Sequence, residues 1–563
     1  MNKAISAALL VLTLTIQLHA QAEFSPQAML KPKITGPYTI PPNVDARAAY
    51  DTLGARAGFN MVYVPAFKED TPIVLRIEAP TFFEAMNRLS EQTKTFWFPW
   101  DSKTIVLAPD TLQYHRDLEP QTLRTFYLGK DVPRDVLSST VNALRARLQM
   151  RSVFQQEGAN AIVVWDTAAN VAAAERIIAE VEGQRLPLPT TTATAFPINN
   201  TLFLLISENG KVRRVVPSTQ SHLENTLTGA VSVDIHSSAR PIYEDLAARA
   251  GLNVIFDSQM RERPATRFHV ESLDFINALD LLALQTGTFW QPMNDSTIYV
   301  MDDNQQNRRD RDRFIAKVIF LPETATTNDL NGTLNLMRTS LGFRGIFQDS
   351  RQKAIVIKDT PLRVFLAEKV VEDLHKQLGK SKSVLLTTES SIYAENGWIL
   401  GNAAAARPKL EVKLRNETTV RLNKNTKAAF ETLAELAGLQ VTFDPRFVDS
   451  DAISFAATNV DILDALDLLA WQTRQFWQVV DQHTIRVVPD SQAARRELEL
   501  TVQKTIVPAD PTAAAGLLNI LRTVFALRAV QTDEKNNIII RDNPDNVAIA
   551  EKLVEILGKG AVQ

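Results

Sequence analysis

One sequence pattern occurs three times along this chain, and its repetition limits the fold more than any other feature. Each copy contains Gln-Thr, two further residues and Phe-Trp, and its tryptophan is Trp97, Trp290 or Trp477. These tryptophans are separated by 193 and 187 residues, and Gly58, Gly251 and Gly438 are separated by the same two intervals. A repeat in such a strict register predicts an array of similar small units.

The sequence around each glycine predicts a helix followed by a strand. It reads LGARAGFNMVYVP, LAARAGLNVIFDS and LAELAGLQVTFDP, where an amphipathic helix precedes the glycine and β-branched and aromatic residues follow it. We expect each glycine to end its helix in the left-handed conformation, which glycine adopts without strain. A second helix is expected to begin after Thr81, Asp274 or Asp461, with Glu84 completing a capping box in the first copy.

The Phe-Trp pairs begin a β-hairpin that closes each small α/β module. Strand alternation places the two rings on opposite faces of the sheet. We expect one ring of each pair to fill the core of its module. The other ring is a candidate for a partner surface.

A different pattern follows each of these modules. It predicts a strand, a helix, two strands and a last helix, and the second of the paired strands reads AIVVWD, AIVIKD or NIIIRD. Its aspartates are placed where the last helix begins, and Pro361 and Pro544 lie in the first turn of that helix. These aspartates are Asp166, Asp359 and Asp542.

The sequence therefore predicts an α+β fold built as a tandem array of six small modules of two alternating types. We name the first type A1, A2 and A3 (residues 37–110, 230–303 and 410–490) and the second type B1, B2 and B3 (residues 123–184, 314–379 and 500–559). Linker hairpins are expected at 196–218 and 384–402, each with an Asn-Gly turn. Modules of this size bury little surface alone, so we expect them to pack on one another.

Residues 1–22 have the pattern of a secretory signal peptide, with Lys3, an apolar run and a small-x-small site ending at Ala22. No later apolar run is long enough to span a membrane. The chain has no cysteine and a formal net charge of −3, so we expect neither disulfides nor binding to nucleic acid through bulk electrostatics. We expect an exported protein with no membrane-spanning segment after the signal peptide is cleaved.

Motifs for chemistry are not found. The seven histidines show no metal-binding spacing, and no nucleophile elbow, Walker loop or dinucleotide-binding turn occurs. Gly342-Phe343-Arg344-Gly345 matches the G-x-x-G of RNA-binding KH domains, but the other two copies lack it. We therefore predict no catalytic, cofactor-binding or metal-binding residue, and no nucleic-acid partner.

An asparagine and an arginine recur three residues apart on the first helix of each type B module. Two interpretations remain open, a solvated helix face and a contact between modules. The pairs are Asn142 with Arg145, Asn335 with Arg338, and Asn519 with Arg522.

The type A pattern resembles the short N-terminal domain shared by secretins and TonB-dependent receptors, and the type B pattern resembles the KH-like N-domains of secretins. In that family such modules form periplasmic rings beneath an outer-membrane barrel and bind inner-membrane partners or cargo. No stretch here resembles the barrel domain of that family, so we do not expect this chain to form a channel alone.

The resemblance implies a non-enzymatic periplasmic scaffold or adaptor in outer-membrane secretion or pilus assembly. Expected partners are proteins: the chain itself, a secretin or other outer-membrane barrel protein, inner-membrane secretion components, or exported cargo. The alternative is a ligand-sensing, signal-transfer protein, since the short domain of receptors reports to an inner-membrane regulator.

Overall fold

The structure is a computed structural model. It describes residues 30–119, 121–129, 132–150, 152–156, 160–181, 193–196, 204–208, 211–215, 223, 227, 229–339, 342–375, 378–387, 410–413, 418–527 and 529–559. The predicted signal peptide, the Asn209-Gly210 turn and residues 388–402 of the second predicted hairpin lie outside these ranges.

Each type A module contains two helices, a two-stranded antiparallel sheet and a three-stranded mixed sheet. In A1 the elements are Tyr38–Ile40, helix Ala46–Ala57, Asn60–Tyr63, Ile77–Ala79, helix Phe82–Thr93, Thr95–Pro99 and Thr104–Pro109. In A2 they are Val231–Ser237, helix Ala239–Arg249, Asn253–Phe256, Thr266–Leu273, helix Phe275–Thr286, Thr288–Asn294 and Thr297–Asp302. In A3 they are Thr418–Lys424, helix Thr426–Ala437, Gln440–Phe443, Ile453–Val460, helix Ile462–Gln472, Gln475–Asp481 and Thr484–Pro489.

The last strand lies in the middle of each mixed sheet. In A1, Thr104–Pro109 pairs parallel with Asn60–Tyr63 and antiparallel with Thr95–Pro99. The equivalent strands of A2 and A3 pair in the same way. The predicted hairpin beginning at Phe-Trp is therefore confirmed, and a parallel strand from the first helix–strand unit completes the sheet.

The predicted helix ends are confirmed. Gly58, Gly251 and Gly438 have φ values of 81°, 71° and 73°, the left-handed conformation that glycine adopts without strain. The side chains of Thr81, Asp274 and Asp461 each accept a hydrogen bond from a backbone N–H of the following first turn. The expected capping box is wrong in one respect: the Glu84 carboxylate accepts from Arg88 one turn along the helix.

Each type B module has two helices on one three-stranded antiparallel core sheet. The elements are Gln121–Tyr127, helix Arg134–Leu148, Val153–Gln156, Ala161–Thr167 and helix Ala168–Val181 in B1; Ile315–Phe320, helix Thr327–Thr339, Gly345–Asp349, Ala354–Asp359 and helix Pro361–Leu374 in B2; and Val502–Ile506, a 3-10 turn Pro511–Ala513, helix Ala514–Thr523, Val530–Thr532, Ile538–Asp542 and helix Pro544–Leu557 in B3. This is the predicted order of strand, helix, two strands and helix, with Asp166, Asp359 and Asp542 just before the last helix.

Linker strands extend two of these sheets. Ala193–Phe196 pairs with the first strand of B1 and with Leu204–Glu208, which pairs antiparallel with Lys211–Val215. Lys382–Leu385 pairs with the first strand of B2. Each of the three short connecting helices, Leu112–Leu118, Gln305–Arg311 and Gln492–Leu498, links a type A module to the type B module that follows.

The apolar cores show how modules of the same type pack on one another. One cluster contains side chains of both A1 and A2, and another contains side chains of both A2 and A3. Two further clusters join B1 to B2 and B2 to B3. The predicted α+β array of small modules is confirmed, and its modules pack by type in the orders A1–A2–A3 and B1–B2–B3.

Candidate protein interaction surfaces

The two rings of each Phe-Trp pair have different roles. The indole N–H groups of Trp97, Trp290 and Trp477 donate to Asn87, Asp280 and Asp467 on the second helix of the same module, at 3.1, 3.0 and 2.8 Å. The phenylalanine lies on the opposite face, and Phe289 belongs to the cluster that contains the core of A3. The tryptophan therefore fills its own module, while the phenylalanine of A1 and of A2 faces the next type A module.

A side-chain amide is repeated at the A1–A2 and A2–A3 contacts. Asn60 of A1 donates to the carbonyl oxygen of Glu271 at 3.2 Å and accepts from its backbone N–H at 2.9 Å. Asn253 of A2 makes the same pair of bonds with Thr458 of A3, at 2.9 and 2.8 Å. One amide thus satisfies an outward-facing peptide group of the next module, which sets the register of the contact.

The A2–A3 contact also contains a buried ion pair. Asp257, which is 1% exposed, lies 3.0 Å from the Arg474 guanidinium and accepts from the Tyr299 hydroxyl at 2.6 Å. The Tyr299 ring meets Trp471 edge to face, with 5.5 Å between centroids. Breaking this ion pair would leave a buried charge unpaired, so it strongly favours this one arrangement of the two modules.

Polar contacts also join the type B modules. Gln156 of B1 donates to the Asp329 carbonyl of B2 at 3.4 Å. Arg351 of B2 reaches the Asp510 carboxylate at 2.8 Å and the Leu557 carbonyl at 3.0 Å, both in B3. The contacts between modules thus combine apolar sheet faces with a few directed hydrogen bonds.

A cation held between two carboxylates recurs on each connecting helix. Arg308 pairs with Asp303 and Asp312, and Arg495 pairs with Asp490 and Glu499. Each guanidinium also lies over the phenylalanine of its module, 4.2 Å from the Phe289 centroid and 4.8 Å from that of Phe476. These groups attach the connecting helix to the sheet face.

The first copy of this arrangement contains His115 in place of arginine. Its ring nitrogens lie 2.8 Å from Asp110 and 2.8 Å from Glu119. Partial burial lowers the pKa of His115, but the hydrogen bonds and charges of Asp110 and Glu119 outweigh burial and raise the pKa above its ordinary value. This position is a pH-dependent version of the clusters at Arg308 and Arg495.

All six residues of the repeated Asn-Arg pairs are exposed, as the solvated-face interpretation expects, and each arginine also bonds within its own module. Arg145, Arg338 and Arg522 donate to the backbone carbonyls of Val153, Ile346 and Val530, at 2.8, 3.0 and 2.9 Å. Each carbonyl belongs to the strand that follows the helix in the same module. The arginine therefore holds helix and strand together within a type B module.

The described residues do not support nucleic-acid binding at the G-x-x-G stretch, a metal site or a membrane-spanning helix. Phe343 of the G-x-x-G stretch is 2% exposed and belongs to an apolar core cluster, so its ring is not available to stack on a base. In the residues that the structure describes, no group of three or more His, Asp or Glu side chains has metal-binding geometry. None of the described helices combines the length and apolar composition that a bilayer crossing requires.

The sequence predictions did not name Asn60, Asp257, Arg474 or His115. A signal was present for some of them, because Asn60 and Asn253 lie at the repeat interval of 193 residues, as do Asp110 and Asp303. The partners of these side chains lie up to 217 residues away, so spacing within one module does not reveal them.

No protein-family model matches the chain, and no curated protein sequence matches it. Among solved structures, the chain is similar to the N-terminal domain of the secretin XcpQ from Pseudomonas aeruginosa, with 15% identity and a TM-score of 0.10 over 25% of this chain and 66% of that chain. A second XcpQ structure, XcpQN012, gives 15% identity and a TM-score of 0.10 over 26% of this chain and 68% of that one.

The chain is also similar to the Salmonella SPI-1 type III secretion injectisome basal body proteins InvG, PrgH and PrgK. Here the identity is 14% and the TM-score 0.13, over 58% of this chain and 45% of that chain. This chain therefore spans less than half of the injectisome chain that it matches. At such low TM-scores these similarities carry no argument about function.

Proposed function

We propose that this chain is a non-enzymatic scaffold or adaptor that acts by protein–protein interaction in outer-membrane secretion or pilus assembly. After removal of residues 1–22, the protein is located in the periplasm. Part of it associates peripherally with the outer membrane. Its partners are other copies of itself, a secretin or other outer-membrane barrel protein, inner-membrane secretion components, or exported cargo.

The stacking of like modules through their sheet faces is the observation that carries this proposal. The outer sheet faces of A1 and A2 each pack apolar side chains against the next module, and each adds one asparagine that bonds to the backbone of that module. A surface that is used twice for docking within one chain is suited to docking between proteins as well.

The proposal includes the module boundaries predicted from the sequence and the two linker hairpins at 196–218 and 384–402. It assigns no catalytic, cofactor-binding or metal-binding residue. The residues that carry the function are those on module faces exposed in the described structure, such as Gln440 and Thr442 of A3, because a protein partner can reach them.

Deleting the gene in its own host tests the proposal. We expect the deletion strain to lose at least one secreted protein or its surface pili, measured by mass spectrometry of the culture medium and by counting pili. The full sequence supplied from a plasmid should restore secretion. A matched version that begins at residue 23 should not, because it lacks the export signal.

Unchanged secretion and piliation would overturn the proposal. If the deletion instead changed only the transcription of a few genes in response to a ligand, the signal-transfer alternative would take its place. A cytoplasmic location of the full-length product in cell fractionation would also contradict the proposal.

A further inference from the structure

The two ends of the type A stack remain exposed in the described structure. At one end is the outer sheet face of A3, where Gln440 and Thr442 are exposed and Val480 is 49% exposed. At the other end is the face of A1 formed by Ile77–Ala79 and Phe82–Thr93, where the side chains of Glu78 and Arg88 are 68% and 48% exposed. These are the same two faces that meet at A1–A2 and A2–A3.

We propose that the outer sheet face of A3 binds this face of A1 in a second copy of the chain, head to tail. The contact would continue the packing that joins A1 to A2 and A2 to A3. The inference rests on the proposed scaffold function, and it names the partner and the residues through which that scaffold extends.

The first support is a pair of positions that change from apolar to charged at the ends of the stack. Within the chain, Tyr299 of A2 meets Trp471 of A3 edge to face. By the repeat intervals, Arg486 occupies the Tyr299 position in A3, and Glu91 occupies the Trp471 position in A1. An aromatic contact inside the chain thus corresponds to an arginine and a glutamate at its two ends.

A second pair of positions is oppositely charged both inside the chain and at its two ends. Asp257 of A2 pairs with Arg474 of A3. The equivalent residue of A3 is Asp444, which is 6% exposed and pairs with Arg446 in the free chain, and the residue of A1 equivalent to Arg474 is Lys94, which is exposed. Both end-to-end pairs therefore have opposite charges, which is the electrostatic complementarity expected of two surfaces that bind each other.

The side-chain amide is also present at the free end. Asn60 and Asn253 bond to the backbone of Glu271 and Thr458 in the next module. Gln440 has the same amide group at this position in A3, and Glu78 of A1 has the equivalent backbone position. In the free chain the Glu78 carbonyl accepts from Arg88, so Gln440 of a second copy would replace that donor.

Charged end faces predict weak, reversible association instead of a permanent assembly. Within the chain, Leu281 and Leu468 are buried at the receiving helix, whereas A1 has Arg88 at that position. Polar outer faces also keep the terminal repeats of an array soluble. Because the two faces differ and both are present on every chain, association would be heterologous and would extend to open arrays or closed rings.

Sedimentation velocity of residues 23–563 tests the proposal. We expect concentration-dependent association with a Kd between about 1 and 100 µM at low salt, because a small polar contact binds weakly. Association should weaken at high salt, because Glu91 and Lys94 are exposed to solvent. A strict monomer at about 200 µM and low salt would overturn the proposal.

Charge reversal identifies the faces. Glu91→Arg and Arg486→Glu should each weaken self-association by about tenfold or more, because each places like charges in contact. An equimolar mixture of the two variants should regain association as alternating arrays, because each Glu91→Arg head then meets an Arg486→Glu tail and each unchanged head meets an unchanged tail. The double variant should regain association. Association of the single variants equal to that of the wild type would overturn the proposal.

The matched control is Lys552→Glu, a charge reversal on an exposed helix position of B3 that should leave association unchanged. Circular dichroism of each variant checks that it is folded, and the mixing experiment needs both variants to be active in binding. If association fails while the secretion defect of the deletion strain stands, the scaffold function survives with other partners. If the secretion defect is absent, the function itself fails.

Discussion

The imidazole of His115 lies nearly parallel to the ring of Phe96, with 4.1 Å between the ring centroids and 19° between the ring planes. The two carboxylates that hold this ring, Asp110 and Glu119, raise its pKa. The connecting helix Leu112–Leu118 is therefore attached to the A1 sheet face by a group that loses its charge as the pH rises.

His115→Gln tests this attachment. The folded-state pKa is raised, so the stabilising contribution is fully present below the ordinary histidine pKa of about 6.5 and is lost as the pH rises through the higher folded value. We expect the variant to be less stable than the wild type at pH 5.5, by no more than about 1 kcal/mol because the side chain is partly exposed, and equal to it at pH 9. Hydrogen exchange of residues 112–118 measures the effect.

The control variant is His115→Arg, which introduces the residue type found at Arg308 and Arg495. It should protect residues 112–118 equally at both pH values, since arginine does not titrate in this range. A wild-type protection that increases with pH would contradict the charge account.

His375 should have the opposite pH dependence. It is fully buried, burial lowers its pKa, and its Nε2 lies 2.9 Å from the Thr333 hydroxyl. The stability it contributes is therefore present above pH about 6.5 and lost as the pH falls from there through the lower folded pKa. Thr333→Val should cost about 1–3 kcal/mol at neutral pH, because it leaves a buried ring nitrogen without its hydrogen bond. Urea unfolding at pH 7.5 measures this loss, and Thr333→Ser, which keeps the hydroxyl, should lose less.

Arg474→Met should lower the free energy of unfolding by weakening the contact between A2 and A3. It leaves the Asp257 carboxylate, 1% exposed, without its cation, and removing one partner of a buried pair costs about 3–5 kcal/mol. Chemical unfolding measures the loss. Adding Asp257→Asn should recover part of it, because the buried charge is then gone. Arg446→Met is the control, since Arg446 pairs with the equivalent Asp444 but is itself 43% exposed, so its loss should matter less.

Asp280→Leu tests the hydrogen bond that seats Trp290 in its module. The carboxylate accepts from the indole N–H at 3.0 Å, and its removal leaves a buried donor unsatisfied at a cost of about 1–3 kcal/mol. Thermal unfolding followed by tryptophan fluorescence measures the change. Asp280→Asn should be much milder, since Asn87 accepts from Trp97 at the same position of A1. Equal losses for both variants would show that the hydrogen bond is unimportant.

Local features of the fold could be predicted from the sequence with little ambiguity. Gly58 and Gly438 end their helices with positive φ, and Asp274 and Asp461 cap the next helix. These predictions hold because a cap depends on a backbone conformation and a hydrogen bond within a few residues. Glu84 was the exception. Its carboxylate accepts a hydrogen bond from Arg88, one turn along the helix, instead of completing the expected capping box.

Contacts of surface side chains were predicted less well, because their partners lie farther away in the sequence. The arginine of each Asn-Arg pair was identified as a repeated position, but its acceptor, such as the Ile346 carbonyl, depends on how the next strand packs on the helix. The pairing of Asp257 with Arg474 spans two modules and was not predicted.

The amino-acid sequence by itself determined the two module types, their alternation and the positions of their helices and strands, because hydrophobic period, caps and turns act over a few residues. It also determined that Phe289 and Trp290 lie on opposite faces of one sheet. Only the tertiary structure decided that the Phe289 face is covered by A3, and that modules pack by type while the chain alternates between types. Which surface covers a sheet depends on the total fit of residues nearly 200 positions apart, and no local pattern encodes that fit.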